Sequence, residues 1–109
     1  ISKEHATYWT TRYPTVSIIT MATLVKKVIG LNFNKITCPA LFIVSEEDKV
    51  VDVKKTLQIA ELWGGKSLVN FVKCGPYDDK HSHVLAGDIK SPTQTDKLVK
   101  TSLAWIKSL

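Results

Sequence analysis

Residues 36–51 read ITCPALFIVSEEDKVV, and this stretch decides the fold. Its middle part, Ala40–Val44, is a short continuous apolar run, which is typical of a strand buried on both faces of a parallel sheet. The chain then turns polar and acidic before Asp52, which is a good N-cap for a helix over residues 53–63. The stretch therefore predicts a buried strand, an acidic loop and a helix.

A second strand follows this helix. Gly64 and Gly65 are placed to end the helix, and residues 68–72, LVNFV, form the next apolar run. A strand, a helix and a second strand in this order make a βαβ unit, so the two strands should be parallel and the crossover right-handed. We therefore expect an α/β fold with two parallel strands and about three helices.

Two further helices flank this unit in the sequence. The first is expected from Pro14, which suits an opening turn, to about Ile29. The last begins in the stretch SPTQ, where Ser91 is the expected cap and Gln94 closes a capping box. Apolar residues at spacings of three and four predict one buried stripe on each helix. These residues are Ile18, Met21, Val25 and Val28 in the first helix, and Leu98, Val99, Leu103 and Ile106 in the last.

Composition fits one small domain. The chain has 109 residues, of which 44% are hydrophobic, and no apolar run approaches the roughly 20 residues of a membrane helix. The net charge is +5, but the lysines are spread along the chain, so we expect a solvated surface and no nucleic-acid partner. Cys38 and Cys74 lie outside any CxxC or metal-ligand spacing and should fall at opposite edges of the sheet. We therefore expect two free thiols, which fit the reducing cytoplasm.

Candidate catalytic residues lie in the two loops that leave the carboxyl ends of the strands, where ligands of parallel sheets gather. Asp48 follows the first strand, and the second loop reads DDKHSHVL from residue 78. An aspartate and a histidine from these loops would meet, and a carboxylate so placed fixes the imidazole tautomer and stabilises its protonated form. Asp48 could instead be a turn residue. His83 and His81 are both candidates for the base at this point.

Other polar residues have simpler explanations. Asp52 is better explained as a helix cap than as an acid. The group Asp78, Asp79, His81 and His83 resembles a metal site by residue type, but its tight H-x-H spacing lacks a third fixed ligand. The sequence therefore predicts no metal and no cofactor.

These loops and their strands resemble the C-terminal part of the α/β-hydrolase family. Ile36-x-x-Pro39 before the first strand matches that family's strand entry, and the acid loop matches G-x-x-D-x-x-V, with Ser45 in place of the usual glycine. The segment His83-Val84-Leu85, followed by a proline-started terminal helix, resembles the family's histidine loop and last helix. The order aspartate before histidine also agrees with the family. The closest resemblance is to esterases, lysophospholipases and serine aminopeptidases.

The resemblance implies a serine hydrolase of carboxylic esters or related acyl compounds, with Asp48 as triad acid and His83 as base. No G-x-S-x-G nucleophile motif occurs in the 109 residues, so this chain alone is expected to be inactive. The sequence starts at Ile1 without a methionine, and we expect it to be cut from a longer protein whose N-terminal half carries the serine. The alternative function is a non-catalytic, hydrolase-like binding or scaffolding module.

The expected organisation is a single partial domain over residues 1–109. Residues 1–35 would form a helical segment at the exit from the cap, and residues 36–109 the C-terminal hydrolase segment. The strand Ala40–Val44 would expose its outer edge in this chain, so self-association into a homodimer across that edge is expected for the isolated chain.

Overall fold

The computed structural model describes residues 3–10 and 12–109. The chain divides into two compact units, residues 1–32 and residues 33–109. The described residues form four α-helices, one short 3-10 helix and two β-strands. Among them, no helix is both long enough and apolar enough to cross a membrane.

The first unit contains two helices, α1 at Lys3–Tyr8 and α2 at Val16–Ile29. The sequence pattern did not predict α1, whose six residues show no apolar periodicity. Helix α2 starts two residues after Pro14, and the Ser17 amide in its first turn donates a hydrogen bond of 2.9 Å to the Pro14 carbonyl. The buried stripe predicted for this helix was wrong, since within this unit none of the α2 residues is buried.

The second unit has the predicted α/β architecture. Strands β1 (Ala40–Val44) and β2 (Ser67–Phe71) are parallel, and α3 (Val53–Glu61) connects them and packs against both. The register pairs the first and last residues of β1 with those of β2, so the carboxyl ends of the strands are level. Helix α4 (Pro92–Lys107) follows the long second loop. The prediction of parallel strands is confirmed, although β2 begins one residue earlier than expected.

Helix α3 ends two residues before the predicted position. Trp63 leaves the helix, and its indole Nε1–H donates a hydrogen bond of 2.8 Å to the Cys38 carbonyl just before β1. Its ring stacks on Phe33, with centroids 6.3 Å apart, and lies edge-on to Phe42 at 5.5 Å. Trp63 thus joins the end of the helix to the entry of the first strand, and the helix ends where this contact begins.

The buried apolar core is small. The buried apolar side chains are Val44, Ala60, Val72 and Leu98. The prediction that β1 is buried on both faces was wrong, because only its last residue is buried and the others are half-buried. On α4, Val99, Leu103 and Ile106 are about half exposed, contrary to the predicted stripe. Two strands and the helices of this unit cover too little of the sheet and of α4 to bury every apolar position.

Candidate functional site

The acid loop begins where β1 ends, and its first turns are fixed by local hydrogen bonds. The buried Ser45 accepts hydrogen bonds from the Asp48 amide at its carbonyl and from the Glu47 amide at its hydroxyl, at 3.2 and 3.3 Å. Asp48 Oδ1 accepts the amides of Val50 and Val51 at 2.7 and 3.0 Å. One carboxylate oxygen of Asp48 therefore closes the turn, as the simpler explanation of this residue requires.

The other carboxylate oxygen of Asp48 contacts the histidine loop. His83 Nδ1 lies 3.0 Å from Asp48 Oδ2, and the side chains are 39% and 7% exposed, respectively. The Lys49 amide donates a hydrogen bond of 2.9 Å to the main-chain carbonyl of His81, which ties the two loops together a second time. The structure therefore brings together the two residues that the sequence singles out, with His83 rather than His81 against the carboxylate.

The environment keeps Asp48 ionised. Burial acts to raise its pKa, but hydrogen bonds from the Val51 and Val50 amides, together with His83, outweigh that effect and lower the pKa below its ordinary value of 3.8. An ionised carboxylate facing Nδ1 favours the tautomer that carries the proton on Nδ1. That tautomer leaves a lone pair on Nε2, the nitrogen that can take up a proton from a reacting group.

The backbone around His83 is held by Asp79 and Ser91, which are both buried. Asp79 Oδ2 accepts the amides of His83 and Val84 at 3.2 and 3.1 Å. The Asp79 amide donates to Ser91 Oγ at 3.0 Å, and the Ser91 hydroxyl in turn donates to the Val84 carbonyl. Lys90 Nζ lies 3.9 Å from Asp79 Oδ1 and supplies the nearby positive charge. A closed ring of hydrogen bonds thus fixes the backbone of Val84, the residue that follows His83.

Asp78, next to this ring, caps helix α4 in place of Ser91. Its carboxylate accepts the amides of Gly75 and Thr93 at 2.8 and 3.2 Å, the Thr93 hydroxyl at 2.5 Å and the Gln94 side-chain amide at 3.1 Å. These hydrogen bonds, led by that from Thr93, lower the pKa of Asp78. The predicted capping box was wrong, because the Ser91 side chain makes no cap hydrogen bond and is used by the ring described above.

Asp78 and Asp79 are thus both engaged in contacts within this chain. Among the described residues, no group of three or more histidine, cysteine, aspartate or glutamate side chains could hold a metal ion. Cys38 and Cys74 are both free thiols. Burial raises the pKa of the Cys74 thiol, which therefore stays protonated at neutral pH.

A shallow cleft adjoins the Asp48–His83 pair at the end of β1. Most of its walls are aliphatic, and the pair provides its main polar groups. The lining residues are Ile43, Val44, Ser45, Asp48, Val51, Val53, Thr56, His83 and Leu85. The arrangement therefore places a group capable of proton transfer beside an apolar surface.

A comparison with protein-family models, curated proteins and solved structures found no match to this chain. The functional interpretation therefore depends on the residues of this chain.

The sequence analysis predicted the Asp48–His83 pair but missed the structural roles of Asp79 and Ser91. The Asp78-Asp79 doublet before the histidines was a usable signal, because adjacent aspartates in a loop with glycine and proline often bind backbone amides. The pairing of Asp79 with a serine 12 residues later had no local signature.

Proposed function

We propose that this chain supplies the acid and the base of a serine hydrolase with an α/β-hydrolase fold. The observation that carries the proposal is the hydrogen bond of 3.0 Å between His83 Nδ1 and Asp48 Oδ2 beyond the carboxyl ends of two parallel strands. The order of the two residues and their strand context agree with the sequence resemblance. The nucleophilic serine would belong to a part of the protein that precedes this sequence.

The chemistry follows from the two nitrogens of His83. Nδ1–H donates to Asp48, so Nε2 accepts the serine proton as the serine oxygen attacks the carbonyl carbon of an acyl substrate. The resulting imidazolium is stabilised by the ionised Asp48 carboxylate. It then gives the proton to the leaving group, and water releases the acyl group in a second round of the same steps. Carboxylic esters and related acyl compounds are the proposed substrates.

The exposed surface near this pair fits a larger protein. Among the described residues, β1 pairs with β2 alone, and its outer edge carries no strand. Backbone groups along such an edge gain hydrogen bonds when a further strand is added. We therefore place the N-terminal half of the proposed hydrolase, with its serine, beside β1 and next to the Asp48–His83 pair.

Labelling of the native gene product with a fluorophosphonate probe, which reacts with activated serines, tests this function. Intact-mass analysis of the same sample gives the length of the labelled protein. We expect a labelled protein longer than 109 residues. The labelling rate should fall about 10⁶-fold in His83→Ala and about 10⁴-fold in Asp48→Ala. His81→Ala is the matched control and should retain labelling, since His81 contributes its main-chain carbonyl to the site.

Two results would overturn the proposal. A native protein that is folded and does not label would favour the non-catalytic binding or scaffolding module. A protein that labels equally well with and without His83 would show that another residue activates its serine.

A further inference from the structure

We infer that Asp79 and Ser91 are positioning residues that hold the His83 imidazole against Asp48. The two side chains touch the backbone on either side of the histidine rather than its ring. The positioning is a property of this chain by itself. Its consequence for acyl transfer rests on the proposed function.

The ring of hydrogen bonds constrains the backbone at His83 and at the residue that follows it. Asp79 Oδ2 binds the amide of His83 itself, and the same oxygen binds the amide of Val84. The carbonyl of Val84 accepts from Ser91, so both polar groups of that residue are held. One carboxylate oxygen therefore holds the amides of His83 and Val84, and one hydroxyl group holds the carbonyl of Val84.

The second step concerns the residue before the histidine. Ser82 has a φ of 50°, in the left-handed region that residues with a side chain rarely adopt. Its amide donates a hydrogen bond of 2.8 Å to the Asp79 carbonyl, which holds this turn closed. Loss of the Asp79 side chain would free the amides of His83 and Val84, and the unfavourable conformation at Ser82 would then relax and move the His83 backbone.

The third step is the burial of the two side chains. Ser91 is 0% exposed and Asp79 is 7% exposed, so water competes little for their hydrogen bonds. His83 has a side chain that is 39% exposed, and one hydrogen bond at such a position does not fix a ring strongly. The buried Asp79 and Ser91 therefore supply most of the order that the partly exposed His83 side chain needs.

Nitrogen NMR of the full 109-residue chain tests this inference, because the chain has three histidines and the side-chain signals of His83 can be assigned by substitution. In the unmodified chain, under conditions in which the imidazoles are neutral, His83 should show one fixed tautomer with the proton on Nδ1. Asp48→Ala gives the reference spectrum of a His83 without its carboxylate. We expect Asp79→Ala to move the His83 signals more than half of the way to that reference, and Ser91→Ala to move them in the same direction.

Two variants separate positioning from a general loss of structure. Asp79→Asn keeps a side-chain oxygen for the two amides, and it should restore the spectrum of the unmodified chain. Asp88→Ala removes an exposed aspartate from the same loop and should leave the His83 signals unchanged. The amide signals of β1 and β2 report whether each variant is folded. If Asp79→Ala does not fold, Ser91→Ala carries the test.

His83 signals that stay unchanged in folded Asp79→Ala and Ser91→Ala would overturn the inference. So would a spectrum of Asp79→Asn that matches that of Asp79→Ala, since the side-chain oxygen would then not be what positions the ring. The expected NMR spectra do not depend on whether the fluorophosphonate probe labels the protein. An unchanged His83 spectrum likewise leaves the labelling result intact, so the two proposals fail separately.

Discussion

A double-mutant cycle on Asp48 and His83 measures how far the aspartate serves the turn and how far it serves the imidazole. The perturbations are Asp48→Ala, His83→Ala and the two together. Asp48 makes both kinds of contact, since Oδ1 accepts two backbone amides while Oδ2 faces His83 Nδ1. The coupling free energy between the two substitutions isolates the second contact.

The magnitudes follow from the number and exposure of the contacts. Loss of the two hydrogen bonds that close the turn should cost about 1 kcal/mol each, because they lie in an exposed loop and water replaces part of their strength. The contact with His83 is screened by solvent on the histidine side, so it should contribute about 0.5–1 kcal/mol. We therefore expect Asp48→Ala to lower the free energy of unfolding by about 2.5–3 kcal/mol and His83→Ala by about 0.5–1 kcal/mol.

Urea unfolding followed by circular dichroism gives the four free energies, provided that the slope of the transition is the same for all variants. The coupling should be about 0.5–1 kcal/mol at low salt and smaller at high salt. His81→Ala combined with Asp48→Ala is the matched control, and its coupling should be near zero. A coupling below about 0.2 kcal/mol at low salt would refute the contact. If His83→Ala lowers the free energy of unfolding as much as Asp48→Ala does, the assignment of one Asp48 oxygen to the turn and the other to His83 is wrong.

Three further outcomes are expected. The pKa values of Asp48, Asp78 and Asp79 are lowered on folding, so their contribution to stability is complete above the ordinary value of 3.8 and is lost as the pH falls below it through the folded values. An acid titration followed by circular dichroism should show that loss. Unchanged stability down to pH 2 would contradict it. In Gly64→Ala, the new Cβ would lie 2.0 Å from the Asn34 carbonyl oxygen, so the free energy of unfolding in urea should fall by about 1–3 kcal/mol. Gly30→Ala is the control and should change little, because the atom nearest to its new Cβ is 3.5 Å away. The isolated chain should self-associate through the outer edge of β1, and light scattering that shows a monomer at every concentration would exclude this.

The strands and the main helices of the second unit could be predicted because their signals are local. The apolar run before Ser45 and the cap at Asp52 depend on neighbours in the sequence, and Asp52 does accept the Lys54 amide at 3.0 Å. The pairing of Asp48 with His83 could also be anticipated, because level carboxyl ends of parallel strands bring the following loops together.

The depth of burial could not be predicted in the same way. A continuous apolar strand and a stripe on a helix show which residues can be buried, but not how much surface the rest of the chain supplies to cover them. Leu98 is 7% exposed and Val99, the next residue, is 52% exposed, although the sequence pattern treats them alike. The cap of α4 was mispredicted for a related reason. Ser91 has the right position, but the Thr93 amide of the first turn is bound by Asp78, which lies 15 residues before Thr93.

The small apolar core and the ordered site are compatible because different interactions hold them. The Asp48–His83 pair is positioned by hydrogen bonds of Asp79, Ser91 and the Lys49 amide, and these form within two loops of the second unit. Among the residues that the structure describes, four buried apolar side chains form the core of this unit. Substitution in the sheet should therefore lower the stability of the whole unit and leave the geometry of the pair intact while it is folded. Substitution in the ring of hydrogen bonds should do the reverse, and would change the orientation of His83 before it unfolds the chain.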